Sequence, residues 1–215
     1  MTEAHKPTRP IKLYRYALSG HSHRAQLLLS LLGLPFETVD VDLVQGEQRQ
    51  PDFVALNRFG QVPVIDDDGC IVADSNAILT YLALRYGSES WLPRDPLGAA
   101  RVQRWLSVAA GPLAFGAAVA RAIQVFKRPQ DPADAIARAQ QLFGVIERTL
   151  SDEGTAFITG PAPTIADLAL YSYTAHAPEG NVSLTDYPTL RAWLARIEAL
   201  PGFVPMAASR IGLVA

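Results

Sequence analysis

Residues 11–41 read IKLYRYALSGHSHRAQLLLSLLGLPFETVDV, and the pattern changes character twice. Ile11–Ala17 is β-branched and aromatic, the composition of a strand. Ser22–Leu32 (SHRAQLLLSLL) reads as a helix that stops at Gly33 and Pro35. Phe36–Val41 (FETVDV) roughly alternates apolar and polar residues and predicts a second strand. A strand–helix–strand unit of this length implies two parallel strands joined by a crossover helix.

Further along, Pro51–Leu56 predicts a short helical turn, and Val62–Ile65 and Ile71–Ala73 flank the acidic turn Asp66-Asp67-Asp68-Gly69, a hairpin signal. Asn76–Tyr86 predicts a helix with Asp74 and Ser75 at its start and Gly87 at its end. Pro63 has no N–H for a ladder and does not belong in a central strand with trans geometry. A cis Val62-Pro63 bond in a tight turn resolves that conflict. The polar connection Ser88–Pro96 (SESWLPRDP) marks a boundary, and no convincing strand follows it. Leu97–Phe126 predicts a long helix, kinked near Gly111-Pro112, and Pro132–Leu150, Thr164–Ala177 and Tyr187–Leu200 predict three more. The expected architecture is an α/β module over residues 11–87, a linker over 88–97 and an all-helical module over 98–215.

Composition narrows the function classes. Of 215 residues 49% are apolar, enough for a core without metals or disulfides. A formal net charge of −2 gives no electrostatic reason to expect a nucleic-acid partner. Cys70 is the single cysteine, so no internal disulfide, CxxC pair or thiolate zinc site can form, and a reducing, cytoplasmic setting is expected. Met1–Pro10 is polar with no apolar h-region, so no secretory signal is expected. Trp105–Ala120 carries no charge but falls short of the roughly 20 apolar residues of a bilayer span and contains Gly111-Pro112. It reads as a buried core helix, with no membrane partner.

Four places carry candidate chemistry. The turn Ala17–Arg24 (ALSGHSHR) leads into a helix N-terminus, whose free N–H groups and partial positive charge favour an anion, including a thiolate. Ser19 and Ser22 are hydroxyls at that point. Ser22 is expected to cap the helix, whereas Ser19 stands too early to cap and is the better functional candidate. His21 and His23 lack a nearby third ligand, so no metal site is expected; His21 reads as a polar ligand contact and His23 as helix surface. No G-x-S-x-G elbow supports a hydrolase. At Gln61-Val62-Pro63, a cis-proline turn exposes the N–H and C=O of Val62, which would either pair with a peptide ligand as an added strand or serve a purely structural turn. At Asp74-Ser75, the carboxylate either caps the helix or, with the hydroxyl and helix N–H groups, cradles an α-amino-acid zwitterion. Pro163-Thr164-Ile165-Ala166-Asp167 has capping-box spacing, and Asp167 is expected to hold a helix start. Cys70 reads as inert packing.

Together, LYRYALSGHSHRA, PDFVALNRFGQVPVIDDDG, ADSNAILTYLA and PTIADLALYSY resemble the cytosolic glutathione transferases from about Ile11 to Phe203. Through LSGHSHR, FGQVPV, RWLSVAAG and YPTLRAWLARIEALPGF the chain is similar to a bacterial branch near the chi class. The resemblance implies a thioredoxin-like N-terminal domain that binds glutathione as co-substrate, with no prosthetic group, and an all-α C-terminal domain that helps bind an electrophile. It implies a homodimer. The γ-glutamyl zwitterion would sit on Asp74 and Ser75, and the cysteinyl backbone on Val62, beside Pro63 and Gln61. The sulfur would point at Ser19 and His21, with Ser19 as the activating residue. Gln48, Arg49 or Arg58 would take the glycine carboxylate. Asp74 replaces the family's usual Glu, and Asn57-Arg58 its usual Asn-Pro. A match to delta-like members instead would place Gly20 at the activating position, which has no side chain to act with. The implied activity is conjugation of the glutathione thiolate to a small hydrophobic electrophile, lined by the Trp105–Phe126 stretch and the segment near Phe203. The alternatives are a glutathione-dependent peroxide or disulfide reductase, which the absence of an active-site cysteine disfavours, or a noncatalytic glutathione- or hydrophobe-binding protein.

Overall fold

The structure, a computed structural model, describes residues 6–214; Met1–His5, half of the polar N-terminus, lie outside it. A four-stranded sheet is built from β1 (Ile11–Arg15), β2 (Phe36–Asp40), β3 (Val64–Asp67) and β4 (Cys70–Ala73), in the order β2-β1-β3-β4. β1 runs parallel to β2, with Ile11 opposite Phe36, and antiparallel to β3, with Leu13 opposite Ile65. The expected crossover unit and hairpin are both present. The hairpin turns through Asp68 and Gly69, both at positive φ, the conformation that matches strand twist. The Asp66 carboxylate accepts the Gly69 N–H at 2.7 Å. Cys70 opens the edge strand β4 and is exposed, so the expectation that it packs is corrected: no further strand pairs with this edge of the sheet.

Helices α1 (Gly20–Leu31), α2 (Pro51–Leu56) and α3 (Ser75–Arg85) complete this half. Ile11, Leu13 and Ile65 meet Leu27, Leu28, Ile78 and Leu82 in one core, all fully buried. The second half opens with α4 (Pro96–Val108), capped by Asp95, and runs without a break through Ala109–Ala118 into α5 (Val119–Val125). The middle segment is wound as a π-helix around Pro112. Proline lacks the N–H of an α-helical bond and crowds the preceding turn, and wider winding is one way to absorb it. By length and composition this helix would reach across a membrane; in the fold Val102, Trp105, Leu113 and Ala120 are buried in the core.

Helices α6 (Ala133–Glu153), α7 (Ile165–Ala175) and α8 (Pro188–Glu198) close the bundle. α7 is its centre, with every residue from Ile165 to Thr174 buried. Its N-terminus is fixed by Asp167, which is fully buried. The carboxylate accepts the Ile158 N–H and Thr164 N–H, both at 2.8 Å, the Thr164 hydroxyl at 3.1 Å and the Trp193 indole N–H at 2.9 Å. The capping box is thus also a tie between three chain segments.

The two halves meet where α1 packs on α7. His23 is buried here rather than on a helix surface, because α1 faces the sheet on one side and α7 on the other. Its Nδ1 lies 2.9 Å from the Ser172 hydroxyl and its Nε2 2.8 Å from the Val204 carbonyl. A carbonyl only accepts, so Nε2 carries the proton and Nδ1 accepts from Ser172. The Ser30 hydroxyl donates to the Gly202 carbonyl at 2.6 Å, a second clasp on the C-terminal segment.

Replacing Asp167 with Ala would strand several buried donors, each costing about 1–3 kcal/mol. We expect Asp167→Ala to lose roughly 3 kcal/mol or more in urea unfolding, against less than about 0.5 kcal/mol for Asp152→Ala in the exposed last turn of α6.

Candidate functional site

A cleft of about 650 Å³ opens beside the N-terminus of α1. Ser19 and His21 form one wall, Gln61, Val62 and Pro63 another, and Asp74 and Ser75 a third. Gln48 also lines it, whereas Arg49 is exposed and Arg58 points elsewhere, neither lining the cleft.

The α1 wall is built from a knot of short-range bonds. Ser19 is the N-cap of α1 and its Oγ accepts the Ser22 N–H at 3.3 Å; the Ser22 hydroxyl turns back to accept the Tyr16 N–H at 3.2 Å. This reverses the expected assignment, in which Ser22 capped and Ser19 came too early. The helix begins at Gly20, two residues sooner than read, and its first turn packs against Tyr173; a Cβ at Gly20 would approach that ring to 2.8 Å. The cap bond uses a lone pair of Ser19 Oγ and leaves its proton free to donate, beside the positive end of the helix.

Beneath this wall lies Arg24, fully buried. One guanidinium nitrogen (NH1) stands 3.2 Å from the Ser75 hydroxyl and 3.2 Å from His21 Nδ1; Nε and NH2 have no partner. Burial lowers its pKa to about 10, so it remains a cation at neutral pH. Among the described residues no carboxylate touches it, and its charge is balanced at longer range by Asp74 and by the Tyr173 ring, whose centroid lies 5.6 Å away. Arginine only donates, so His21 Nδ1 is its acceptor and the His21 proton sits on Nε2. Burial first, then the Arg24 charge, push the His21 pKa down to about 3. His21 is therefore a neutral N–H donor across the physiological range. It is separated in role from His23, whose two nitrogens are spent inside the core.

On the second wall the Val62-Pro63 peptide bond is cis. The ladder of β3 begins at Val64, so the N–H and C=O of Val62 are outside it. The Asn57 side-chain amide donates to the Gln61 carbonyl at 2.7 Å and holds the turn in place. On the third wall Asp74 caps α3: one carboxylate oxygen accepts both the Asn76 and Ala77 N–H groups at 2.9 Å. The other oxygen makes no such bond. Asp74 thus fulfils the capping reading and retains a free acceptor at the cleft. Its backbone sits at φ 77°, ψ 129°.

Sequence reasoning missed Arg24 and Arg128. A lone charge inside the apolar run of α1 was a usable signal for Arg24. Arg128 reaches the cleft from the far end of α5, and nothing local in the sequence points there. Of the expected electrophile-lining residues, Phe203 stacks edge-on against Tyr171 at 5.6 Å in the core, and Trp105 and Phe115 line a separate outer groove. Phe126 lies 6.2 Å from Tyr16, beside the turn that carries Ser19.

Comparison with known proteins gives a consistent relationship. Residues 9–84 match the family model described as glutathione S-transferase, N-terminal domain, and residues 123–210 match glutathione S-transferase, C-terminal domain. The chain is 34% identical over 212 residues to glutathione S-transferase 3 of Zea mays, covering 90% of this chain and 91% of that protein. It is 32% identical to the zeta-class glutathione S-transferase of Euphorbia esula, covering 94% and 92% respectively. The crystal structure of a glutathione S-transferase from Pseudomonas fluorescens superimposes with a TM-score of 0.85 at 34% identity, covering 92% of this chain and 99% of that one.

Both site-side histidines titrate below the ~6.5 of an unfolded chain, His21 at about 3 and His23 at about 4, each chiefly through burial. The unfolded state therefore binds more protons in acid. Their contribution to stability is complete above pH 6.5 and declines as the pH falls toward those values. We expect His23→Gln to lose about 2–3 kcal/mol less than wild type between pH 7 and 4.5, measured by urea unfolding. The His21 ring resonances should stay in the neutral form from pH 8 to 5.

Proposed function

The chain belongs to the cytosolic glutathione transferase family, and on that premise we propose that it conjugates the glutathione thiolate to a small hydrophobic electrophile, with Ser19 as the donor that stabilises the sulfur. The observation that carries this reading is the Ser19 hydroxyl: its oxygen is engaged as the α1 cap, and its proton is left to donate in a cleft that also holds a zwitterion cradle and a free backbone edge.

In this reading the free oxygen of Asp74 takes the γ-glutamyl ammonium. The Ser75 hydroxyl and backbone N–H, with the buried Arg24 charge behind them, take its carboxylate. Val62 pairs with the cysteinyl backbone as an added strand would, beside Pro63 and Gln61. Gln48 and Arg128, which both line the cleft, serve the glycine carboxylate in this reading. The sulfur then meets the Ser19 O–H, the Nε2–H of neutral His21 and the positive end of α1. All three favour thiolate over thiol, and none of them needs to accept the proton, which leaves to solvent. With an aryl halide, sulfur forms the new C–S bond and halide departs, so glutathione and electrophile yield thioether, proton and halide. Phe126 and Tyr16 offer the electrophile an apolar wall. The setting is cytoplasmic, where glutathione is kept reduced.

We assign the second copy of a homodimer to the outer groove between α4 and α6, about 460 Å³, floored by Trp105, Pro112 and Leu142 and flanked by Arg104 and Arg138. Phe115 stands 65% exposed at its edge, an exposure that a partner would relieve.

With an aryl halide as electrophile, Ser19→Ala should lower kcat/KM by roughly 10²-fold while calorimetry finds glutathione affinity within about threefold of wild type. Failure of the wild type to bind glutathione would overturn the reading of the cleft; binding without conjugation of any aryl or alkyl halide would favour a glutathione-binding protein. Light scattering should return twice the chain mass for wild type and the chain mass for Phe115→Glu.

A further inference from the structure

The turn that carries Ser19 is tied to the helical half of the molecule by one long-range bond. Arg121, in α5, donates from a terminal guanidinium nitrogen to the Leu18 carbonyl at 2.7 Å. Arg121 is 1% exposed. It is held in turn: its Nε donates to the Glu179 carboxylate at 2.9 Å, and Glu179 is itself 2% exposed. The same carboxylate receives the Ser209 hydroxyl at 2.6 Å and stands against His176 Nδ1, and these donors with Arg121 hold its pKa below the ordinary carboxylate value despite burial. Gly180 packs so closely that a Cβ there would lie 2.5 Å from the Arg121 backbone nitrogen. Arg121 is thus fixed at its backbone by this contact and at its side chain by Glu179 and the Leu18 carbonyl.

The Leu18 carbonyl and the Ser19 N–H belong to one peptide plane. The Ser19 N–H donates to the Tyr16 carbonyl at 2.9 Å, and Arg121 holds the opposite edge of that plane. Pinned on both edges, the plane fixes the backbone from which the Ser19 side chain springs. Without the Arg121 bond only local turn bonds remain, and the half-buried Leu18 carbonyl loses its charged donor.

We propose that Arg121, clamped by Glu179, is a positioning residue for the thiolate: it sets the Leu18–Ser19 peptide and so the direction in which Ser19 presents its proton to sulfur. The proposal rests on the reading of Ser19 given above. It makes the helical half of the chain a determinant of thiol acidity, although that half contributes no atom to the sulfur through this route.

The test is the pH midpoint of thiolate formation in the enzyme–glutathione complex, followed by ultraviolet absorbance, for wild type, Ser19→Ala, Arg121→Met, Arg121→Lys, Glu179→Gln and the double variant Ser19→Ala/Arg121→Met. Glutathione affinity and unfolding are measured in parallel. Arg121→Met should raise the midpoint by about one unit, a tenfold fall in the thiolate-to-thiol ratio, with glutathione affinity within about threefold. Arg121→Lys, which keeps one donor, should recover part of that shift. In the Ser19→Ala background the Arg121 substitution should add almost nothing, because both act through one hydroxyl. A folded Arg121→Met or Arg121→Lys with an unmoved midpoint, or an Arg121 effect that persists undiminished in Ser19→Ala, overturns the proposal. If Arg121→Met does not fold, Arg121→Lys and Glu179→Gln carry the same comparison. A midpoint that Ser19→Ala itself leaves unmoved defeats the Ser19 reading instead, and the two failures are thereby separate.

Discussion

Helix α1 is buried on two sides, by the sheet and by α7, and the placement of nearly every polar group of interest follows from that. A helix covered on both sides has only its ends free. Its N-terminus opens on the cleft, where Ser19 takes the cap and Gly20 allows the first turn to lie on Tyr173. Its interior polar residues must find partners inside the protein or remain unpaired. His23 finds two, in α7 and the C-terminal segment. Arg24 finds only neutral hydrogen-bond partners and keeps its charge under the cleft, with Asp74 acting on it at longer range.

The same packing decides what could be read from the sequence. Strands, hairpin, the cis bond at Pro63 and the Asp167 capping box are written in local terms, as alternation, turn residues and fixed spacing, and all are present in the fold, although the strand read as Val62–Ile65 runs Val64–Asp67 and the first strand ends at Arg15. What went astray depended on residues far along the chain. The first turn of α1, which Ser19 caps, packs on Tyr173, more than 150 residues later, so closely that a Cβ at Gly20 would meet the ring, a contact no local pattern shows. His23 reads as surface until α7 is laid over it. Arg121 and Arg128 lie in a helix and its tail that look like core followed by a polar loop, and only the closing of the two halves brings them to the cleft or to the turn beside it.

The long helix from Pro96 to Val125 shows how a hydrophobic run acquires function at its far end. Its first turns build the bundle core, and its π-wound middle accommodates Pro112. Extra residues per turn rotate everything that follows relative to an uninterrupted α-helix. Arg121, Phe126 and Arg128 all lie after that rotation, on the side that meets the thioredoxin-like half.

Asp74 occupies a backbone position that glycine would hold with less strain, at φ 77° and ψ 129°. The fold could satisfy its own needs there more comfortably: a glycine would relax the backbone, and an asparagine would still cap α3. Neither would leave a negative charge at the mouth of the cleft. Selection for thermal stability alone would therefore pull this position away from aspartate, whereas selection for binding an ammonium would hold it. The backbone strain at Asp74 is thus what the fold bears for keeping a carboxylate at the mouth of the cleft.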